Sequence, residues 1–430
     1  MKPGKAAITF ILVTVTLDIL AMGLIIPVLP DLILGFLGGQ MTSAATWTTW
    51  FTLVFALMQF FCSPILGVLS DQVGRRPIIL LSNLGLGLDY IVMALAPTIQ
   101  WLFLGRIISG ITTSSIPTAM AYIADITPKE KRAAAFGGIG MAFGIGFAFG
   151  PAIGGLLSHF DPRLAFWVAA GLSLTNWMWG YFFVPESLAP EKRKAFALRR
   201  ANPLGSLKLL RSHHELWQLA TIQFIAYIAH NVFGVWVLYT IYRYNWGEFT
   251  NGLSLMVVGV VTAAISAGVT GPFVRRFGEK KTLYTGQFSG ALGMIAAGLA
   301  KTGGWLFASI PVMSLWNMSM PAAQSIMTRR VSEQEQGELQ GAISSLRSIT
   351  FIIGPVIFLQ TFRWFIDPKN GDPVPGAPFF LAGVLLFTTA LMSTRMKVED
   401  MRTPPQPVIP KEPEVVPGVA PPGVPEPPVL

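Results

Sequence analysis

The chain reads as an all-α membrane protein: twelve transmembrane helices arranged as two related six-helix bundles. Three observations predict this. Apolar strips of membrane length recur through 430 residues, of which 52% are hydrophobic and only 12% charged, a balance that polar surface could not cover in a water-soluble fold. Lysine and arginine collect in alternate loops. Residues of the first half also recur at a fixed offset in the second.

Six strips run from Ala6 to Leu29, Ala45 to Leu69, Ile78 to Ala96, Trp101 to Ala124, Ala133 to Leu157 and Leu164 to Val184. Six more run from Leu216 to Thr240, Gly252 to Val274, Thr282 to Ala300, Gly304 to Met327, Leu339 to Phe362 and Ala377 to Thr394. Each is near the roughly 20 residues that a helix needs to cross the hydrocarbon core. Each must be helical, because in lipid a segment satisfies its backbone polar groups internally unless it closes into a barrel. The strips are too long and too uniformly apolar for barrel strands. The first follows Lys2 and Lys5 as a signal peptide would, but its length, its central Asp18 and the lack of a small-residue cleavage site make it an uncleaved first helix.

Orientation follows from the basic residues. With the N-terminus inside, the inner loops receive Arg75, Arg76, Lys129, Lys131, Arg132, Arg275, Arg276, Lys280, Lys281, Arg329 and Arg330, while the outer loops hold only Arg163, Arg243, Lys301, Arg363 and Lys369. The net charge of +9 is thus a topology signal, and basic residues spread over alternate loops do not form a nucleic-acid face. The expected location is a bacterial inner membrane, crossed many times, with both termini cytoplasmic and the chain acting as a monomer. Residues 1–184 are expected to form the first bundle and 216–396 the second. Residues 185–215, with Lys192, Arg193, Lys194, Arg199 and Arg200, form a cytoplasmic linker that could lie on the membrane surface. Residues 397–430 are a proline-rich tail expected to be disordered. The single Cys62 cannot form an internal disulfide, and no Cys/His cluster suggests a metal.

The repeat is specific. Gly67, Gly74, Pro117, Gly137, Gly150 and Pro151 meet the same residue types 204 positions later at Gly271, Gly278, Pro321, Gly341, Gly354 and Pro355. Parallel six-helix halves are a transporter plan, with the binding site at their interface. Asp71, Asp89 and Arg106 fall on Arg275, Gly293 and Ile310, so the scaffold is expected to repeat without its charges.

The loop after the second strip reads Gly67-Val-Leu-Ser-Asp71-Gln-Val-Gly74-Arg75-Arg76-Pro77. Glycines there permit a tight turn, and a carboxylate near helix ends can engage free N–H groups and arginines. The fifth strip carries Gly137, then Gly146, Gly150, Pro151, Gly154 and Gly155; its four-residue spacing leaves a flat face for close helix packing. The loop resembles the signature of the major facilitator superfamily, and the fifth strip resembles the antiporter motif of its exporters. The resemblance implies that Asp71 latches the halves in an outward-facing state, while the arginines pair with an acidic residue ending the fourth helix, here Asp125.

Ionisable residues within the strips are functional candidates by default. They are Asp18, Asp89, Arg106, His230 and Arg347. The context of Asp18 through Pro27 and Pro30, Gly87-Leu-Asp89-Tyr90, Gly105-Arg106-Ile107, Ala121 through Thr127, Phe277-Gly278-Glu279-Lys280 and Gln336 through Gly341 resembles the tetracycline efflux family, twelve-helix drug:proton antiporters, from Thr16 to Val356. That resemblance implies substrate or proton handling at Asp18, Asp89 and Arg106. Alignment on Phe277-Gly278-Glu279-Lys280 places the family's eighth-helix histidine on Thr262 and its ninth-helix aspartate on Gly290, so both titratable groups of the second half are missing.

His230 is a candidate replacement proton carrier, since imidazole titrates near neutrality; a hydrogen-bonded core histidine is the alternative. Arg347 either attracts an anionic substrate or extends toward the inner interface. Gln59, Ser114, Tyr122, Gln223, Trp236, Asn317 and Gln324 are polar or aromatic candidates for the cavity wall. The expected function is secondary active export of a small amphipathic compound, a tetracycline-like drug or metabolite, in exchange for protons, with no cofactor and no ATP-binding motif. Proton-coupled import of a nutrient or organic anion is the alternative. An intramembrane enzyme is disfavoured because no nucleophile and base pair is apparent.

Overall fold

The computed structural model describes residues 3–113, 115–127, 132–196, 207–210, 214–331 and 335–396. Ser114 and the tail 397–430 therefore lie outside the described residues. Every regular element among those described is helical, and apart from short helices at Pro190–Lys192, Leu207–Leu210 and Pro368–Asn370 they make twelve rods. In the first half these are α1 (Pro3–Ile25, resuming as Val28–Phe36), α2 (Met41–Val73), α3 (Arg75–Leu95), α4 (Ile99–Thr112 and Ser115–Ile126), α5 (Arg132–Phe160) and α6 (Leu164–Phe183). In the second half, α7 is His214–His230 and Trp236–Tyr244 joined by a tight turn at Asn231–Val235, and α8 is Glu248–Ala264 and Thr270–Phe277 with a wide turn at Ile265–Val269. Then follow α9 (Glu279–Leu299), α10 (Gly303–Ser314 and Ser319–Thr328), α11 (Gln336–Ile366) and α12 (Ala377–Arg395).

Nine of the rods are long and apolar enough by composition alone to cross a membrane. In α6 the apolar run is diluted by Asn176 and Trp167, Trp177 and Trp179; in α9 by Gln287, Tyr284 and its threonines, serine and glycines; in α10 by its serines, prolines and Asn317. The first rod is longer than its strip because the chain resumes as helix after Pro27 and runs on to Phe36. Pro64, Pro151, Pro311 and Pro355 sit inside helices, where neighbouring helices can satisfy the carbonyls that proline frees. Gly74 and Gly278 end α2 and α8 with φ of +112° and +82°, in the region that side chains rarely enter. The repeat therefore reproduces a backbone requirement as well as a letter.

The halves meet along two seams. Between α5 and α8 the backbones touch: a Cβ on Gly155 would lie 2.3 Å from the Glu248 carbonyl oxygen, one on Gly252 2.2 Å from that of Pro151, and one on Gly259 3.1 Å from the Ala148 Cα. Between α2 and α11, Gln360 Nε2 donates to Thr49 Oγ1 at 3.0 Å. All these contacts lie away from the face that carries the basic loops. Toward the basic face the seam opens: a Cβ on Gly144, three turns before Gly155 on the same side of α5, would meet no neighbouring atom within 4 Å, and Ala263 and Ser266 of α8 are exposed. The molecule is closed at one face and open at the other.

Part of the linker packs into the protein instead of lying on a surface. Leu209 and Leu210 are buried with Leu216, Leu219, Ile326 and Leu339 at the base of the second half, and the Lys194 amide donates to the Asp71 carbonyl at 3.0 Å. Apolar side chains take the linker into the protein because a core is available there.

Candidate functional site

A cavity of about 250 Å³ lies between the halves. Its polar wall comes from the first half: Asp18 of α1, Thr48 and Thr52 of α2, and Arg106, Ser109 and Thr113 of α4. The second half adds only Phe233, Gly234, Val237 and Phe351. One side of the cavity is thus charged and the other apolar, a surface that suits an amphipathic molecule.

Asp18 is 5% exposed, and a buried carboxylate needs donors around it. Asn176 Nδ2 of α6 donates to its Oδ1 at 2.8 Å and also to the Thr14 carbonyl at 2.9 Å. Asn83 of α3, with its amide nitrogen turned toward the carboxylate, donates at 3.1 and 3.0 Å to the two oxygens. Asp89 sits behind the wall, fully buried. Ser109, which does line the cavity, donates to its Oδ2, while Oδ1 has no hydrogen-bond partner. A Cβ on Gly105 would come within 2.8 Å of that free oxygen, so the glycine beside Arg106 makes the space that Asp89 occupies. Arg106 donates from Nη2 to the Met93 sulfur at 3.5 Å and lies over the Phe55 ring at 5.6 Å. Its Nε is buried without a partner, and no carboxylate of the described residues comes within 4 Å of it.

Asp18 and Arg106 therefore reach the cavity and Asp89 stands one hydrogen bond away. The remaining expected wall residues lie elsewhere. Tyr122 is fully buried and donates its hydroxyl to the Pro185 carbonyl at 2.8 Å; Trp236 is fully buried and donates from Nε1 to Ser254 Oγ at 2.9 Å. Their polar atoms are consumed in helix packing, which corrects the expectation that they line the cavity. Gln324 bonds Gln340 at 3.1 Å at an exposed position, and Gln59, Gln223, Asn317, His230 and Arg347 are also absent from the wall. His230 is not a hydrogen-bonded core histidine: it is exposed, with its ring against Phe233 and Trp316 at 5.4 and 5.5 Å.

On the basic face, Arg75 bonds Asp71 at 2.6 Å, Asp125 at 3.1 Å and Ser70 Oγ at 2.6 Å. Arg76 reaches the Tyr181 carbonyl and lies over that residue's ring. Asp71 is thus engaged within its own half. The hub that sequence reasoning missed is Glu186, just past α6. Its carboxylate accepts from the backbone N–H groups of Arg75, Arg76, Ser187 and Leu188 at 2.9, 3.2, 2.9 and 3.0 Å. The first two are free donors at the start of α3. Glu186→Ala is expected to lower stability by about 2 kcal/mol, read as a lower midpoint of thermal denaturation in detergent. An unchanged midpoint would mean that water serves those amides equally well.

The opposite half carries the mirror of the Arg75–Asp125 pair. The same offset of 204 residues takes Arg75 to Glu279 and Asp125 to Arg329, and Glu279 pairs with Arg329 while accepting from Ser325 Oγ at 2.6 Å. At this face, where the scaffold was expected to repeat without its charges, the ion pair is repeated with its signs exchanged.

A family model described as the Major Facilitator Superfamily matches residues 11–355 and again 219–417. The class C tetracycline resistance protein of Escherichia coli is 40% identical over 89% of this chain and 96% of its own length. The class H protein of Pasteurella multocida is 33% identical over 91% and 96%. The chain belongs to the tetracycline efflux family of the major facilitator superfamily. The nucleoside transporter NupG has the same fold, with a TM-score of 0.73 at 12% identity over 91% of this chain and all of that one.

At the two positions where the resemblance implied titratable groups, the second half carries Gly290 and Thr262. A Cβ on Gly290, the position of the expected aspartate, would lie 2.7 Å from Trp316 Cβ, so the tryptophan occupies the space a carboxylate would need. Thr262, at the histidine position, accepts from Asn317 at 3.4 Å. Of the glycines in α5, Gly146, Gly150 and Gly154 press on α1 at Ile19, Gly23 and Leu24, while Gly155 presses on α8. Of Gly137 only its place in α5 is described. Gly67 has nothing within 4 Å of a built Cβ.

Proposed function

We propose that this transporter is a monomeric secondary exporter that moves a small amphipathic drug or metabolite of the tetracycline type out of the cytoplasm in exchange for protons. The observation that carries the reading is the cavity between the halves: Asp18 and Arg106 in its wall, Asp89 behind Ser109, closed at one face and open at the other. In this reading residues 1–184 and 216–396 are the two moving units, joined by 185–215 and followed by the tail 397–430. The open, basic face is cytoplasmic, as the distribution of lysine and arginine implies.

Cargo enters from the cytoplasm and rests its polar edge on Asp18 and Arg106 and its apolar face on Phe233 and Phe351. Asp89 carries the exchanged proton. Its free oxygen can hold one, and Ser109 connects it to the cavity. Ionised Asp89 draws on the Arg106 guanidinium and protonated Asp89 releases it, so proton loading changes how firmly Arg106 can hold cargo. Differential binding of that kind lets a gradient shift the balance between two states. Asp71 paired within its own half, as here, corresponds to the released latch. The Arg75–Asp125 and Glu279–Arg329 pairs, with Asp71, Gly67, Gly74 and Arg76, form the inner switch.

Everted membrane vesicles with an acid interior provide the test. Tetracycline or another cargo found by screening drug tolerance in a pump-deficient cell should load into them and leave when the gradient is collapsed. Accumulation by intact cells instead would make the protein an importer, and indifference to every compound screened would defeat drug export.

A further inference from the structure

The proposed site leaves unexplained a second polar group, one helical turn toward the basic face and entirely in the second half. Arg347 lies eleven residues into α11, about 16 Å along a helix rising 1.5 Å per residue, and its side chain is exposed at that depth. His230 ends the first segment of α7, is likewise exposed, and packs against Trp316. The two belong together. Asn231 Nδ2 donates to the Thr350 carbonyl at 3.1 Å, Thr350 Oγ1 donates to the Arg347 carbonyl at 2.8 Å, and Gly354 admits the Asn231 side chain against α11. The Arg347 charge acts on both His230 and Tyr227. Both residues also sit one turn from the cavity, because Phe233 and Phe351, three and four positions on, line it. Their exposure is therefore to the vestibule below the cavity and not to lipid.

Two features of this group call for a ligand. Arg347 has no carboxylate within 4 Å among the described residues. The acidic residues of the second half, Glu215, Glu248, Glu279, Glu335, Glu338, Asp367 and Asp372 among those described, all stand at helix ends or in loops. A cation at mid-membrane depth without a counter-ion is costly. Trp316, 4% exposed, has its Nε1 buried with no acceptor. Buried polar atoms left unpaired ask for a partner the protein does not supply. A guanidinium, an imidazole and an indole N–H together offer donors and positive charge, and flanking Phe233 and Phe351 offer apolar contact.

We propose that Arg347, His230 and Trp316 form an anion subsite that takes the carboxylate or sulfonate of an amphipathic cargo as it enters from the open face. The subsite gives the second half a charge of the opposite sign to the carboxylate that the resemblance implied at Gly290, and it makes organic anions the preferred cargo of this transporter. It rests on the reading of the vestibule as the cargo path, but its test needs neither a gradient nor transport.

The purified full-length protein in detergent is titrated with naphthalene-2-sulfonate and with naphthalene-2-sulfonamide, which share a ring system and differ in charge, following tryptophan fluorescence and the thermal midpoint. The sulfonate should bind more tightly than the sulfonamide. Arg347→Gln should weaken the sulfonate by roughly ten- to hundred-fold and leave the sulfonamide unchanged, while Arg347→Lys should restore much of the difference. Trp316→Phe should remove most of the fluorescence response. The midpoint without ligand shows that each variant is folded. Equal binding of the two probes, no binding of either, or a sulfonate affinity indifferent to Arg347→Gln would overturn the subsite. Failure of proton-driven export in vesicles with this binding intact would overturn the export reading alone.

Discussion

Asp89→Asn is expected to reduce proton-driven export by about two orders of magnitude, the scale on which loss of an essential proton-transfer group acts. The side chain is fully buried, one oxygen is held by Ser109 and the other is free. Asparagine has the same shape, and its oxygen can still accept from Ser109, so packing should survive. What it lacks is the ability to take up and release a proton. Cargo should therefore still exchange across vesicle membranes down its own gradient, while an imposed pH gradient no longer concentrates it. Arg106→Gln should fail differently. It leaves the proton site but removes the cation in the cavity wall, so cargo affinity falls and exchange falls with it. The measurement is paired: pH-driven uptake and gradient-free exchange in the same everted vesicles. Normal pH-driven uptake by Asp89→Asn would remove Asp89 from the coupling scheme and leave Asp18, held by Asn176 and Asn83, as the remaining acid of the site.

The fold was legible because hydropathy and charge act on whole segments. Twelve apolar strips and the alternation of arginine and lysine needed no knowledge of which way any helix was turned. Asp18, Asp89 and Arg106 were legible for a related reason: an ionisable residue in an apolar strip is conspicuous wherever it points. The cavity wall was not. Whether Tyr122 or Thr48 faces the cavity depends on the rotation of its helix about its axis, which the packing of neighbours decides, and long uniformly apolar helices carry little amphipathic pattern to reveal it. Tyr122 and Trp236 looked like binding residues because they are polar aromatics; their hydroxyl and indole proved to be tied to Pro185 and Ser254. Glu186 was hidden in a loop, and its partners are backbone amides that have no signature in sequence. The exchanged ion pair Glu279–Arg329 was within reach, since the offset that relates the glycines also relates these residues to Arg75 and Asp125.

Gly252→Val is expected to lower transport at least as severely, through conformation instead of charge. Any Cβ at that position would lie 2.2 Å from the Pro151 carbonyl oxygen, far inside contact distance, and the atom it meets is backbone that cannot turn aside. The seam between α5 and α8 can then no longer close at the outer face, and the state described here becomes inaccessible to the variant. Gly144→Val makes the opposite prediction. It lies on the same face of α5 at the open end, where a side chain now meets nothing within 4 Å, so it should fit this state and obstruct closure of the inner face instead. The lone Cys62 allows a direct measurement once it is replaced by alanine. A cysteine introduced at Thr49, whose hydroxyl accepts from Gln360 across the outer seam, reports on that face through its reaction with a membrane-impermeant maleimide. Labelling from outside should rise in Gly252→Val and fall in Gly144→Val, with transport lost in both, because alternating access needs each seam to open and close in turn. If transport were lost in both variants with labelling unchanged, the glycines would be serving helix stability, and the seam would have no part in the cycle.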